Sequence, residues 1–265
     1  MPIAALVAIF GLLIGSFLNV VIHRLPLDQS IVRPGSHCPK CEKPVLWYQN
    51  LPILSWLALR GKCANCKTPI SWRYPLVELV TALLFLLSWR GLGVDAFAII
   101  SQFRIWFFIS ICVAITFIDL DHRLIPDELS LGGWAVGLLT CYWDFRNTPV
   151  HLILASIGGF GFFFLFAIIY EKLTKRSGLG GGDIKFMGTI GIFLGLGGVW
   201  AALMISSIVG SIVGVGYAWY QQKKAKTSGE GGETSVLRAA IPYGPFLVLG
   251  ALVELFFEVS KWLSP

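Results

Sequence analysis

Charged residues are scarce in this chain. Only 14% of its 265 residues are Asp, Glu, Lys or Arg, whereas 55% are hydrophobic, and a typical soluble domain carries roughly 25% charged residues. So few charges cannot coat a water-facing surface, which excludes a soluble monomer, and the mean hydropathy of +0.73 excludes an intrinsically disordered chain. The apolar residues form blocks close to the roughly 20 residues that cross a bilayer. The sequence therefore predicts an all-α polytopic membrane protein.

The apolar blocks predict about eight transmembrane helices. The predicted spans are 3–22, 75–90, 96–118, 128–143, 150–170, 184–197, 199–220 and 241–259. The sixth is short and rich in glycine, so a count of seven stays open. No basic residue precedes Arg24 and no clear cleavage site follows the first block, so we expect a retained helix rather than a signal peptide.

Basic residues indicate the orientation of these spans. With the N-terminus outside and eight alternating spans, 17 of the 21 Lys and Arg fall on the inner side and 3 on the outer side, while Arg104 lies within a span. This split follows the positive-inside rule. Joining 184–220 into one span would move the four basic residues of 221–240 outside. The pattern favours two short spans there, in a tight glycine-lined hairpin, and it explains the net charge of +6 without a nucleic-acid partner.

Glycine spacing supports close helix packing in the same region. Gly191 with Gly195, and Gly210 with Gly214, have the small-xxx-small spacing that lets two helix backbones approach. Ordinary membrane-helix composition explains the same glycines equally well, so both interpretations stay open.

Four cysteines mark the one sizeable polar segment, residues 23–74, which the charge pattern places in the cytoplasm. They form two CxxC pairs separated by 21 residues: Cys38, Cys41, Cys63 and Cys66. This spacing is typical of a tetrahedral structural Zn²⁺ site, and four thiolates leave no open position for catalysis. A disulfide or redox pair, or free thiols, are the alternatives. We thus predict a first helix over 1–22, a zinc-binding loop domain over 23–74 and a transmembrane core over 75–265.

Acidic residues at span ends indicate the chemistry. Asp119 directly continues an apolar run, and Asp183 follows a run of glycines that allows a substrate backbone to pass close by. If the two face each other they would share a proton, one acting as base toward water and the other as acid toward a scissile carbonyl. Interface acids are also common as helix caps. The chain has no HExxH motif and no fitting Ser or Cys triad, and its glycine run does not match a phosphate-binding loop.

Taken together, the ordered motifs resemble those of bacterial type IV prepilin peptidases, which combine a leader peptidase with an N-methyltransferase. The resemblance runs nearly end to end. The motifs that carry it are the start GSFLNVVIHRLP from Gly15 to Pro26, the two CxxC pairs, RYPLVE from Arg73 to Glu78, the Asp119–Asp127 segment and the GxGxGDxK run ending at Lys185. The GxGD element alone is shared with other intramembrane aspartyl proteases.

The resemblance implies the function and its site residues. It makes Asp119 and Asp183 the catalytic aspartates and the four cysteines a structural zinc site. It implies cleavage of a prepilin or pseudopilin leader at the cytoplasmic face of a bacterial inner membrane. It also implies methylation of the new N-terminus from S-adenosylmethionine, for which Gly61 is the one candidate cofactor residue. Asp121, Asp127 and Glu128 could hold the basic leader.

Two other classes of function stay open from the sequence alone. One is an intramembrane aspartyl protease of the GxGD type without methyltransferase activity. The other is a non-enzymatic membrane scaffold with a zinc module, or a transporter. A transport path should place its polar groups near the middle of the membrane, whereas the aspartates here gather at one face. The sequence indicates no oligomeric state.

Overall fold

The computed structural model describes residues 2–89, 96–175, 180–228 and 242–260. Within these ranges the chain is helical, and its only β-pairing is two isolated bridges. The helices are α1 (Pro2–Arg24), α2 (Leu54–Ala58), α3 (Arg73–Ser88), α4 (Ala96–His122), α5 (Asp127–Thr140), α6 (Pro149–Thr174), α7 (Gly181–Ser228) and α8 (Gly244–Phe257). The predicted all-α fold class is confirmed.

Four of the helical segments are long and apolar enough to cross a membrane. They are Ile3–Leu27, Ala96–His122, Pro149–Thr174 and Gly181–Tyr220. Helices α3, α5 and α8 have 16, 14 and 14 residues. At 1.5 Å per residue they are about 21 to 24 Å long, shorter than a hydrocarbon core of about 30 Å. The apolar helices agree with the predicted membrane protein, and the count of eight spans stays a prediction.

The chain divides into two compact units. The first comprises Met1–Ile118 and Ala135–Arg146, and the second comprises Asp119–Trp134 and Asn147–Pro265. The four-cysteine loop belongs to the first unit. The two aspartates singled out from the sequence belong to the second.

In the first unit, α1 and α3 pack with their backbones in contact. A Cβ atom added at Gly11 would lie 2.6 Å from the Cα atom of Ala82, and one added at Gly15 would lie 2.6 Å from the Cα atom of Glu78. Both distances are too short for any side chain. The two glycines are four residues apart and so lie on one face of α1, which is the small-xxx-small arrangement of closely packed membrane helices.

An ion pair neutralises the arginine that lies within an apolar helix of the first unit. The Arg104 guanidinium donates to Asp144 Oδ2 at 2.6 Å, and both side chains are buried. An unpaired charge in such a place is costly, so the pair explains how α4 tolerates an arginine among apolar residues.

In the second unit, α7 folds back on itself at Gly195, whose φ of 72° and ψ of −165° are not helical. A Cβ atom added at Gly159 of α6 would lie 3.2 Å from the Met187 carbonyl oxygen and 3.0 Å from Val199 Cγ2. Residues 187 and 199 would be roughly 18 Å apart in a continuous helix. Because both approach one point on α6, residues 181–194 and 196–228 are two arms of a helical hairpin.

The hairpin packs closely against its helical neighbours. A Cβ atom added at Gly191 would lie 2.6 Å from the Cα atom of Ser156 in α6, and one added at Gly250 of α8 would lie 2.6 Å from the Cα atom of Ala202. The predicted glycine-lined hairpin is therefore present. Gly191 is a packing position as its spacing predicted, whereas Gly195 is the bend.

Candidate active site and cysteine cluster

Two carboxylates from different helix ends meet in the second unit. Asp119 lies in the last turn of α4 and is 5% exposed, while the half-buried Asp183 lies in the first turn of α7. The two carboxyl groups lie close enough to interact electrostatically. The structure thus brings together the two acids singled out from the sequence, which we call the dyad. Their catalytic roles stay predictions.

A backbone amide holds one member of the dyad. The N–H of Gly244 donates to Asp119 Oδ2 at 2.8 Å, and a Cβ atom added at Gly244 would lie 2.8 Å from the same oxygen. Gly244 begins α8 and precedes a proline at the helix start. The free N–H groups and positive dipole of a helix N-terminus favour a carboxylate at this point. Sequence reasoning missed Gly244, because 125 residues separate it from Asp119.

Glycines surround the other member of the dyad. A Cβ atom added at Gly180 would lie 2.7 Å from Asp183 Oδ2, and one added at Gly182 would lie 2.8 Å from Ile125 Cβ. Neither position has room for a side chain, because Asp183 and Ile125 of this chain lie against them. The predicted passage of a substrate backbone along the glycine run stays a prediction. The first two residues of the run, Gly178 and Leu179, lie outside the described residues.

Lys185, the last residue of the GxGxGDxK run, has a partner that the sequence did not indicate. Its Nζ atom donates to Asp127 Oδ1 at 2.7 Å and to Oδ2 at 2.8 Å. The pair joins the start of α5 to the first arm of α7. Asp127, which is one of the acids expected to hold the basic leader, thus also pairs with a lysine of this chain.

The four cysteines cluster in the first unit as their spacing predicted. All four sulfur atoms lie within 4.8 Å of one another, and the Sγ atoms of Cys38 and Cys66 are 3.7 Å apart. All four are free cysteines, without a disulfide among them. A zinc ion with Zn–S bonds of about 2.3 Å places its sulfur ligands about 3.8 Å apart, so the donor set fits tetrahedral Zn²⁺.

The cluster is built from two equivalent knuckles. In the first, the Cys38 N–H donates to the Lys43 carbonyl at 3.0 Å; in the second, the Cys63 N–H donates to the Thr68 carbonyl at 2.8 Å. Each knuckle is closed by a bridge to a proline seven residues further on, from His37 to Pro44 and from Lys62 to Pro69. This pairing of two alike turns presents the sulfur atoms to a common centre.

The thiols of the cluster differ in acidity. Backbone N–H groups of Cys41 and its neighbour lower the pKa of Cys38. The hydroxyl and N–H of Thr68 lower the pKa of Cys66 to about 6. At Cys41 a backbone hydrogen bond at Lys43 also lowers the pKa, but burial and the neighbouring thiols outweigh it and raise the pKa to about 11. A lowered thiol pKa favours the thiolate, which is the form that binds metals.

Gly61 lies beside the second knuckle in a conformation suited to glycine. Its φ is 65°, and a Cβ atom added there would lie 2.9 Å from the Trp56 ring. The indole Nε1 of Trp56 donates to the Ile70 carbonyl at 3.2 Å. Gly61 therefore supports the position of Trp56. Its assignment as a cofactor residue stays a prediction.

The fold and these two centres define a class: a polytopic helical membrane protein with a pair of aspartates at helix ends and a separate four-cysteine module. Two family models match consecutive parts of the chain. Residues 9–91 match the bacterial Peptidase A24 N-terminal domain, and residues 106–215 match the type IV leader peptidase family. The second match contains both members of the dyad, and the first contains all four cysteines.

Curated relatives agree with the family models. A prepilin leader peptidase/N-methyltransferase of Aeromonas hydrophila is 32% identical over 97% of this chain and 92% of the relative. One of Legionella pneumophila is 34% identical over the same shares. One of Myxococcus xanthus is 39% identical over 80% of this chain, although the match spans 62% of that relative. No solved structure matches the chain significantly.

The chain therefore belongs to the type IV leader peptidase family, in the branch of the prepilin leader peptidase/N-methyltransferases. This confirms the resemblance identified from the motifs, and with it the enzyme class of leader peptidase combined with N-methyltransferase.

Proposed function

We propose that this chain is a membrane-embedded aspartyl endopeptidase of a bacterial inner membrane, which removes the leader of prepilins or pseudopilins at the cytoplasmic face. The observation that carries the proposal is the meeting of Asp119 and Asp183 in one compact unit of a chain from this family. The same enzyme methylates the new N-terminus from S-adenosylmethionine.

The dyad suits direct attack of water on the scissile carbonyl. One carboxylate takes a proton from the water and the other gives a proton to the carbonyl oxygen, so no covalent intermediate forms. The Gly244 N–H fixes one oxygen of Asp119. Two like charges close together make it favourable for the pair to share one proton, which supplies the acid and the base at once.

The surroundings of the dyad suit a substrate with a basic leader and an apolar helix. Both aspartates lie at the ends of membrane-capable helices, where such a substrate changes from polar to apolar. Gly180 lies directly against the Asp183 carboxylate, where any side chain would press on Oδ2. Asp121, Asp127 and Glu128 are the acids proposed to hold the leader, and Asp127 also pairs with Lys185.

The cysteine cluster serves this enzyme as a structural zinc site. The fit of four sulfur atoms to tetrahedral coordination supports this assignment. Residues 23–74 have few buried apolar side chains, so a metal would stabilise the loop between α1 and α3. Cys38, Cys41, Cys63 and Cys66 would fill all coordination positions, and the metal would take no part in either reaction.

The test combines one assay with conservative variants of the dyad. Purified protein is incubated with a prepilin-like substrate, with and without S-adenosylmethionine, and the product masses are measured. Asp119→Asn and Asp183→Asn should each abolish cleavage while the protein still inserts and folds. Glu171→Gln, which removes an exposed carboxylate of α6, is the matched control and should cleave normally.

Each outcome of this assay separates the candidate functions. Full cleavage by either dyad variant would contradict the proposed roles. Cleavage without any mass increase from methylation would favour an aspartyl protease without methyltransferase activity. Absence of both products from the unaltered chain would favour a scaffold.

A further inference from the structure

A cavity of about 490 Å³ lies in the first unit, between the four-cysteine loop and the helices α1 and α3. Residues of α1, the loop and the start of α3 line it, among them Asn19, Trp56, Tyr74 and Glu78. Cavities of roughly 300–1,000 Å³ are the usual size of small-molecule sites. The peptidase chemistry of the second unit makes no use of this cavity.

The cavity has a buried carboxylate in its wall. Glu78 is 7% exposed, and its Oε2 atom accepts the Ile53 N–H at 2.8 Å. None of the basic side chains in the described residues forms an ion pair with Glu78. A buried carboxylate without an opposite charge is costly, so its presence in a cavity wall indicates a cationic ligand.

The other buried ion in the wall is already satisfied. The Arg24 guanidinium donates to the carbonyl oxygens of Ser30 at 3.1 Å, Pro34 at 2.7 Å and Gly35 at 3.2 Å. Arg24 therefore fixes the start of the loop rather than facing an anion. Among the buried groups of the wall, the uncompensated charge is the negative charge of Glu78.

We propose that this cavity binds S-adenosylmethionine and that Glu78 accepts the proton of the substrate's N-terminal amine. The inference rests on the proposed function, which requires a cationic methyl donor and an amine at one place. The sulfonium and the ammonium are both attracted by Glu78, and the faces of Trp56 and Tyr74 also favour cations. Gly61 takes part indirectly, because any side chain there would displace Trp56.

The position of Glu78 suits an amine at the start of an apolar helix. Glu78 lies in the second turn of α3, where Gly15 allows α1 to touch its backbone. This is the end of the cavity that lies among the apolar helices, whereas Cys63 and Thr68 line the loop end. A new N-terminus that leads directly into an apolar helix would therefore meet Glu78 first.

The reaction balances with these groups. The ammonium of the substrate gives one proton to the Glu78 carboxylate, which leaves a nitrogen lone pair. That lone pair attacks the methyl carbon of the sulfonium, the carbon–sulfur bond breaks, and its electrons remain on sulfur in neutral S-adenosylhomocysteine. The methylated amine keeps the positive charge.

The first experiment locates the donor without relying on activity. A photoreactive azido analogue of S-adenosylmethionine is bound to the full-length protein, irradiated, and the labelled peptides are identified by mass spectrometry. Label should fall on residues lining the cavity within 16–29 or 36–78, and S-adenosylhomocysteine should compete it away. Asp119→Asn should be labelled equally. Label confined to the second unit would overturn the proposal.

The second experiment tests Glu78 with a substrate that needs no cleavage. A mature pilin with a free N-terminal amine is supplied to Glu78→Gln, in which the amide oxygen can still accept the Ile53 N–H. We expect methylation to fall roughly 10²-fold or more at pH 7 while leader cleavage and S-adenosylhomocysteine binding are retained. Asp28→Asn, which removes an exposed carboxylate of the same unit, should behave as the unaltered chain.

The pH dependence distinguishes proton acceptance from a structural role. An α-amine loses its proton to water with a pKa of about 8, so methylation by Glu78→Gln should recover as the pH rises through this value. Two results would overturn the role of Glu78. One is methylation by Glu78→Gln within threefold of the unaltered chain at pH 7, and the other is a deficit that stays constant with pH. Failure of the unaltered chain to methylate any substrate would instead refute the proposed function itself.

Discussion

Gly244→Ala is the most direct test of how the protein positions its dyad. The added Cβ atom would lie 2.8 Å from Asp119 Oδ2 and 3.2 Å from its Cγ atom, whereas ordinary contact begins at 3.4 Å. The Asp119 carboxylate must therefore move by about 0.6 Å or the start of α8 must withdraw by as much. In either case the hydrogen bond from the Gly244 N–H is stretched or misdirected.

The size of the expected effect follows from this displacement. A misplacement of about 1 Å in a catalytic arrangement costs about 10²-fold in rate. A shift of about 0.6 Å should thus lower kcat/KM for leader cleavage by about 10- to 100-fold, which is about 1.4 to 2.7 kcal/mol in the activation free energy. Global stability should change little, because alanine is a better helix former than glycine by about 1 kcal/mol, and this offsets part of the steric cost.

The assay is cleavage of a prepilin-like substrate by purified variants, with the melting temperature measured in parallel. Gly161→Ala in α6 is the matched control, because a Cβ atom added there meets nothing within 4 Å. Cleavage by Gly244→Ala within twofold of the unaltered chain would refute the positioning role. A loss of cleavage matched by a loss of folded protein would assign Gly244 to stability instead.

Two further predictions concern the first unit. Purified protein should carry about one zinc per chain by elemental mass spectrometry. Cys63→Ser should lose this zinc, whereas Cys141→Ser, outside the cluster, should keep it. A metal-free and fully active preparation would contradict the zinc site. Gly15→Ala should lower the free energy of unfolding by about 1–3 kcal/mol, because its Cβ atom would lie 2.6 Å from the Cα atom of Glu78. Gly35→Ala, which meets nothing within 4 Å, is the control, and equal stability of the two variants would show that α1 and α3 separate freely.

The helices could be predicted where composition alone determines them. The predicted spans 96–118 and 150–170 correspond to Ala96–His122 and Pro149–Thr174. A long apolar segment within a bilayer must satisfy its backbone hydrogen bonds internally, and an α-helix does so. The division of residues 184–220 into two segments was also predictable. A single span would have moved the four basic residues of 221–240 to the outer side of the membrane. The turn lies at Gly195, three residues from the predicted boundary at 198.

Contacts between distant segments could not be predicted in the same way. The small-xxx-small spacing drew attention to Gly195, which is a bend, and passed over Gly15, which packs against α3. Spacing shows which glycines share a helix face but not whether another helix covers that face. The bond from Gly244 to Asp119 likewise has no local signature, because it depends on where the start of α8 lies in the folded unit.

The few buried charges of this chain are held in different ways. Arg104 is buried with Asp144, and this oppositely charged pair needs no ligand to be tolerated. Asp119 and Glu78 are buried to a similar extent, yet each accepts a backbone N–H instead of a buried guanidinium. A backbone amide orients a carboxylate without neutralising it, so the carboxylate can still bind a cation or take a proton. We propose that the two reactions of the family use such positions, with peptide hydrolysis at Asp119 and amine methylation at Glu78.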